Sequence, residues 1–419
     1  MQRIAPDARN KAPAGLILVL ALGPFAAGYF LSYLYRAVNA VVAPDLTAEL
    51  GLSAGELGLL TAAYLFGFAG FQIPLGVLLD RYGPRRVQTG LICIAATGAL
   101  VFAIAGSAIG LSFGRMLIGI GSSGGLMAGF KAVAIWVRPE RRAFANAVIM
   151  ATGGLGIMMA TVPAEWASQA LGWRGMFFGL VVVTVAVAAL IFVAVPEKQS
   201  ASQETSLSQQ LSAIAAIYRD AAFWRVAPLV ATTCGSHIAI QTLWAGPWLK
   251  DNAGLDRNGV AETLGIMAIC FLIGTLTSGA VADWLGRRGI GLLKVMIGFA
   301  FIYLTTLGII VLQPALAGLP VWIIFAMFGQ AGVLSYPWLA QHFGLEKSGR
   351  ANTALNFLVF TTAFACQYLI GVIIDLWPLT PAGGYDTAGY QVGFGVFLAI
   401  QLAGLGWYLL KPPVPLAQI

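Results

Sequence analysis

The chain has 419 residues, 59% of them hydrophobic and only 10% charged, with a mean hydropathy of +0.83. Soluble domains carry roughly 25% charged residues, so this composition excludes an ordinary water-soluble fold and suits helices solvated by lipid. The formal net charge of +7 would fit a nucleic-acid binder, but the distribution of the basic residues along the chain points to a lipid bilayer and not to nucleic acid.

The N-terminal stretch MQRIAPDARNKAPAG is basic, and the apolar run after it is too long for a signal-peptide core and shows no early A-x-A-like cleavage site. It predicts a retained first helix. Apolar runs of about 20 residues can cross a bilayer, and twelve occur: 15–44, 54–79, 87–106, 110–135, 143–165, 173–195, 223–249, 259–282, 291–312, 319–341, 352–377 and 391–410. With the N-terminus in the cytoplasm, 18 of the 24 Lys and Arg fall on cytoplasmic segments. Only Arg174, Lys250 and Arg257 lie outside, and Arg36, Arg115 and Lys131 lie within helices. This positive-inside pattern predicts a multi-pass protein of the bacterial cytoplasmic (inner) membrane with both termini cytoplasmic. The 51 glycines suit close helix approach in lipid. Cys93, Cys234, Cys270 and Cys366 sit in apolar runs without a CxxC pair, so they read as packing residues. No metal or cofactor is expected.

In the first run, SYLYRAVNAVVAPDL places Arg36 nine residues before Asp45, where Pro44 and Asp45 mark the helix end. At 1.5 Å per residue that is roughly 13 Å of depth in a hydrocarbon layer about 30 Å thick. A midplane arginine costs about 2.5–3.5 kcal/mol on insertion scales and usually faces a cavity or a partner. Tyr29, Ser32, Tyr33 and Asn39 share its helical face. The acids Glu165, Asp251, Glu262 and Asp375 all fall near helix ends, and Glu165, Glu262 and Asp375 are expected to face water. Such a stripe suits either an anionic ligand, which guanidinium grips through two parallel hydrogen bonds, or a structural ion pair.

Between the sixth and seventh runs lies PEKQSASQETSLSQQ, which reads as a linker. The expected organisation is an N-terminal six-helix bundle (1–195), a cytoplasmic linker (196–222) and a C-terminal six-helix bundle (223–419). The halves repeat: GVLLDRYGPRRV (76–87) recurs as GAVADWLGRRGI (279–290), and ERRAFANAVI (140–149) recurs loosely as EKSGRANTAL (346–355). Paired repeats with binding at their interface are a transporter plan. Asp80 at a helix end can accept hydrogen bonds or face a helix N-terminus, and the neighbouring arginines can pair with acids such as Glu140.

Gly76, Asp80, Arg81, Gly83, Arg85 and Arg86 together resemble the signature of the major facilitator superfamily between its second and third helices. A degenerate copy holds Gly279, Asp283, Gly286, Arg287 and Arg288. Arg115, in GRMLIGIG, resembles the family's fourth-helix arginine. The resemblance covers essentially the whole chain. It implies an all-α membrane protein of twelve transmembrane helices in two pseudo-symmetric bundles, alternating access, and gating roles for Asp80, Asp283 and the loop arginines.

YLYRAVNAVVAPDL with the following GLSAGELGLLTAAYLFGFAGFQIPLG is similar to two branches of that family, the organophosphate:phosphate antiporters and the anion:cation symporters. In both, an arginine placed like Arg36 meets the substrate's anionic group. The antiporters add an arginine in helix 7 and a lysine in helix 2, where this chain has His237 and Gln72. The symporters carry an aspartate before the arginine and a glutamate in helix 4, where this chain has Tyr35 and roughly Ser122. A monoanion, most simply a carboxylate, fits the remaining charge.

Further polar positions complete the candidate site: Ser123 in the fourth run, His237, Gln241 and Trp244 on one face of the seventh, Gln330 and Tyr336 in the tenth, and Asn356 in the eleventh. Each is equally readable as a helix–helix contact. No nucleophile–base pair or phosphate loop is present, which argues against an enzyme. The leading expectation is a monomeric transporter of a small organic anion working by exchange or facilitated movement, with His237 the alternative proton carrier. A multidrug/proton antiporter and a membrane sensor on a transporter fold are the competing readings.

Overall fold

A computed structural model of the protein describes residues 14–138, 141–195, 212 and 214–411. Among these residues every regular element is helical. Glu140, the expected partner of the loop arginines, and most of the expected linker, 196–211 and 213, lie outside the described residues.

The first crossing is α1 (Ala14–Ala37) continued, after a turn at Val38, by α2 (Asn39–Leu50). α3 (Ala54–Ile104) begins with a capping box, Ser53 and Glu56 each satisfying the other's backbone N–H. It carries two crossings, folded back at Gly83 (φ 76°, ψ 162°), a backbone state that only glycine adopts without strain. Pro84 opens the third crossing, where a missing N–H costs nothing. α4 (Ala108–Ser122) and α5 (Gly125–Trp136) form the fourth crossing. α6 (Arg142–Met159) and the start of α7 (Val162–Ala194) form the fifth, and α7 turns at Gly172 into the sixth.

The second half repeats the plan. α8 (Ala221–Ala239), a π-helical turn at Ile240–Trp244 and α9 (Ala245–Asp251) make the seventh crossing. α10 (Arg257–Gly286) and α11 (Leu292–Leu312) are the eighth and ninth. α12 (Leu319–Phe328), a 3-10 turn at Ala331–Leu334 and the start of α13 (Ser335–Ile374) are the tenth. α13 folds at Gly344 into the eleventh crossing, and α14 (Thr387–Leu410) is the twelfth. Val182, Val183, Phe192 and Val193 on α7 and Leu402, Leu409 and Leu410 on α14 are exposed, as lipid-facing side chains must be. The four cysteines are free thiols.

The loop repeat is real but shifted at its turn. Gly286, the sequence counterpart of Gly83, is the last residue of α10, and the left-handed conformation falls on Gly289 (φ 82°). Arg287 and Arg288 extend the chain as a hydrogen-bonded turn beyond α10 before it reverses at Gly289.

The loops bearing Arg81, Arg85, Arg86, Arg287 and Arg288 mark one face of the molecule, the basic face. The two halves are joined toward the opposite face. There Asp375, at the end of α13, accepts hydrogen bonds from the backbone N–H groups of Ala54 (2.8 Å) and Gly55 (2.7 Å). A carboxylate of one half thus caps a helix N-terminus of the other. Asp375 and Glu262 are both exposed, as expected, Asp375 being held in addition by these two N–H groups.

Candidate functional site

Between the halves lies a cavity of about 510 Å³. Arg36 projects into it from α1, two residues before the irregular turn at Val38, and is 7% exposed. Its guanidinium carbon lies 4.4 Å from the Tyr33 ring, 5.0 Å from Phe68, 4.9 Å from Phe360 and 5.9 Å from Tyr64. Its Nε has no hydrogen-bond partner, and no carboxylate pairs with it among the described residues. Among those residues it is the only Lys, Arg, Asp or Glu that lines the cavity. Each cation–π contact is worth roughly 0.5–2 kcal/mol, so the rings together offset much of the midplane cost, while the unpartnered Nε retains capacity for an anion.

The structure brings most of the predicted residues to this wall. Tyr29 and Tyr33 line it as an edge-to-face pair. Gln72 lines it while its Nε2 donates to the Ser123 carbonyl (3.2 Å), and Ser123 Oγ donates to Ile120 O (2.7 Å). From the second half come His237, Gln241, Gln330 and the pair Tyr336–Asn356, whose hydroxyl and amide oxygen are 3.0 Å apart. His237 packs between Phe271, Tyr303 and Phe325. It rests on the backbone of Gly329, where any Cβ would overlap the ring, and Gln241 is its polar side-chain neighbour.

Three predicted residues do not line it. Asn39 is buried and donates to Thr61 Oγ1 (2.8 Å). Arg115 is fully buried behind the wall, its Nη1 bonded to the Tyr35 carbonyl (2.6 Å) and its guanidinium 5.2 Å from the Tyr64 ring. One tyrosine ring therefore stands between two buried cations. Trp244 was expected to share a face with His237 and Gln241 at ordinary helical spacing. The π turn at Ile240–Trp244 widens that turn, so Thr242 lines the cavity and Trp244 Nε1 donates instead to Gln367 O (2.9 Å).

Sequence reasoning missed the closure on the face away from the basic loops. Arg257, at the start of α10, donates to both Asp45 carboxylate oxygens (2.7 and 2.5 Å) and pairs through Nε with Glu165 (2.5 Å). Glu165 is 2% exposed and also accepts from Gln169 Nε2 (2.8 Å), which corrects the expectation that it faces water. One arginine of the second half is held by two acids of the first. Beside it Arg174 and Trp173 hydrogen-bond Glu49 and hold its carboxyl below the usual carboxylate range. Directly over Arg36, Phe68 of one half meets Phe360 of the other, ring centroids 4.4 Å apart. The only sequence signal for this closure was that Asp45, Glu165 and Arg257 all sit at helix ends on one side.

On the basic face, Asp80 pairs with Lys131 of α5 (2.5 Å), a partner not anticipated for either. Arg81 lies over Tyr82, Arg85 over Phe192 and Arg288 over Trp284. Gly76 is half-buried, and Asp283, Arg287 and Arg86 are exposed, so Asp80 and Asp283 occupy different surroundings despite their matched places in the repeat. Asp80→Asn is expected to lower stability by about 1 kcal/mol, given partial exposure of both groups. Lys131→Gln in the Asp80→Asn background should cost less than it does alone. A thermal-denaturation cycle in detergent giving strictly additive losses would remove the coupling.

Comparison with known proteins places this geometry. The family profile of the Major Facilitator Superfamily matches residues 25–367. Among curated relatives, a probable sulfoacetate transporter of Cupriavidus necator is 26% identical over 281 residues, covering 64% of this chain and 65%, just under two thirds, of that protein. A hexuronate transporter of Bacillus subtilis is 25% identical over 417 residues, 94% of each chain. A solved structure of a bacterial homologue of the human lysosomal transporter Spinster, inward-facing and occupied, superposes with a TM-score of 0.77 at 16% identity, covering 93% of this chain and 95% of that one. Together with the twelve crossings and the cavity between the halves, these matches identify the chain: it belongs to the major facilitator superfamily of membrane transporters.

Proposed function

We propose that the protein carries a small organic monoanion across the bacterial inner membrane by alternating access, with Arg36 holding the anionic group. The observation that carries this reading is that Arg36 lines the central cavity without an acidic partner among the described residues. Transport of sulfoacetate and hexuronate, named for two relatives, supports an anionic substrate. In this reading the basic face and both termini are cytoplasmic, following the positive-inside rule, and a single chain is the working unit. The Asp45–Arg257–Glu165 cluster closes the outer side, so the conformation described is the one closed to the exterior.

No Asp or Glu of the described residues lines the cavity, and Glu165 is already held by Arg257. The substrate is therefore the group that neutralises Arg36, and transport proceeds by exchange or facilitated movement. Proteoliposomes test this. Internal substrate should accelerate uptake of labelled external substrate, while a pH gradient alone should drive little accumulation. Strong accumulation driven by the pH gradient and lost in His237→Gln would instead make His237 the proton carrier.

A further inference from the structure

Resting on the reading of Arg36 as the anion anchor, we propose what the anion is attached to: the substrate is an amphiphilic monoanion, a single carboxylate or sulfonate on a compact apolar body such as an arene. A polyhydroxylated sugar acid or a diacid does not match the wall.

Three features converge. The first is charge. One guanidinium and no second cation line the cavity among the described residues, so a second carboxylate would enter without a counter-ion at a cost several times that of a neutral group. The second is hydrogen-bond supply. Ser123, Thr242, Thr275 and Ser278 each spend their hydroxyl hydrogen on a carbonyl of their own helix, Tyr336 spends its own on Asn356, and Gln72 donates to Ser123 O. The hydroxyls of the wall thus offer few free donors, and the side-chain amides of Gln241, Gln330, Asn352 and Asn356 all belong to the second half. A row of sugar hydroxyls lying against the first half would be buried without partners and penalised.

The third is shape and polarity beside the anchor. Phe68 and Phe360, both within 5.0 Å of the Arg36 guanidinium carbon, present ring surface next to the place where the anionic group must sit. Met127, Phe130, Phe271 and Leu334 continue the apolar wall. An arene can stack there, whereas a polyol would exchange water for carbon. Polar groups survive in the second half: the side-chain amides of Gln241, Gln330, Asn352 and Asn356 and the ring of His237 can match a lone hydroxyl or heteroatom on the substrate.

The test uses the purified full-length protein and four probes, phenylacetate, glucuronate, glucarate and sulfoacetate, in calorimetric titrations. Phenylacetate is expected to bind at least tenfold more tightly than glucuronate, and glucarate and sulfoacetate more weakly still. Phe360→Ser should narrow the phenylacetate–glucuronate gap severalfold, and Phe360→Leu, which keeps the wall apolar, should preserve it. Failure of phenylacetate to bind, or binding of any other probe as tightly, overturns the proposal. If glucuronate or glucarate then binds in an Arg36-dependent way, the anion reading stands without the apolar body. Binding of all ligands indifferent to Arg36→Ala sinks the anion reading itself.

Discussion

Arg36→Ala is expected to weaken binding of the transported anion by roughly 30-fold to several thousand-fold while leaving the folded protein no less stable. Truncating one partner of a buried, hydrogen-bonded charge pair costs about 2–5 kcal/mol, and each 1.4 kcal/mol is tenfold. The stability half of the expectation separates a binding role from a structural one. An unpaired midplane arginine costs about 2.5–3.5 kcal/mol, a cost that contacts with Tyr33, Phe68 and Phe360 worth roughly 0.5–2 kcal/mol each about offset, so removing the side chain is close to neutral for folding. Arg36→Lys should also be severely impaired, because a point charge loses the bidentate geometry. Uptake assays with melting temperatures on the same samples decide it. A fall in melting temperature with near-normal uptake would make Arg36 a structural residue.

Arg257→Gln is expected to raise the exposure of the closed side at least tenfold. The substitution strands Glu165, 2% exposed, without its cation, and breaking a buried pair costs about 3–5 kcal/mol. The Asp45 arm is half-exposed and adds less. The whole penalty falls on the state in which the halves meet, so the population shifts toward the outward-open state. Labelling of Ala40→Cys, which lies between the central cavity and the smaller outer one, by an impermeant thiol reagent in a cysteine-free background reports the shift. Glu165→Gln added to Arg257→Gln should slow the labelling again, since removing both partners leaves no buried charge. Labelling equally slow in all three proteins would mean that the cluster does not hold the gate.

The twelve crossings were legible because each is a long apolar run, and the burial of Arg36 because it lies far inside the first of them; Pro44 and Asp45, expected to mark the helix end, instead lie within α2, which runs on to Leu50. The cavity-lining positions Ser123, Gln241 and Asn356 followed from polar residues recurring inside such runs, and Gln72 from its place in the family pattern. The misreadings have identifiable physical origins. Trp244 was placed by a period of 3.6 that a π turn breaks. Arg115 was placed by family pattern, but its Nη1 is bonded to a backbone carbonyl of α1, and backbone acceptors leave no mark in sequence. Glu165 looked like a water-facing helix end because its partner, Arg257, is distant in sequence and belongs to the other half. The repeat did not foretell the turn at Gly289, because it lies three residues beyond the end of α10 at Gly286, the counterpart of Gly83.

The most direct test of Arg36 as the anion anchor is a calorimetric cycle on the purified protein, comparing the acid that the wild type binds with its uncharged amide, in wild type and in Arg36→Ala. The account predicts that the wild type prefers the acid by at least 30-fold and that Arg36→Ala binds acid and amide about equally. An undiminished preference for the acid in Arg36→Ala would contradict it.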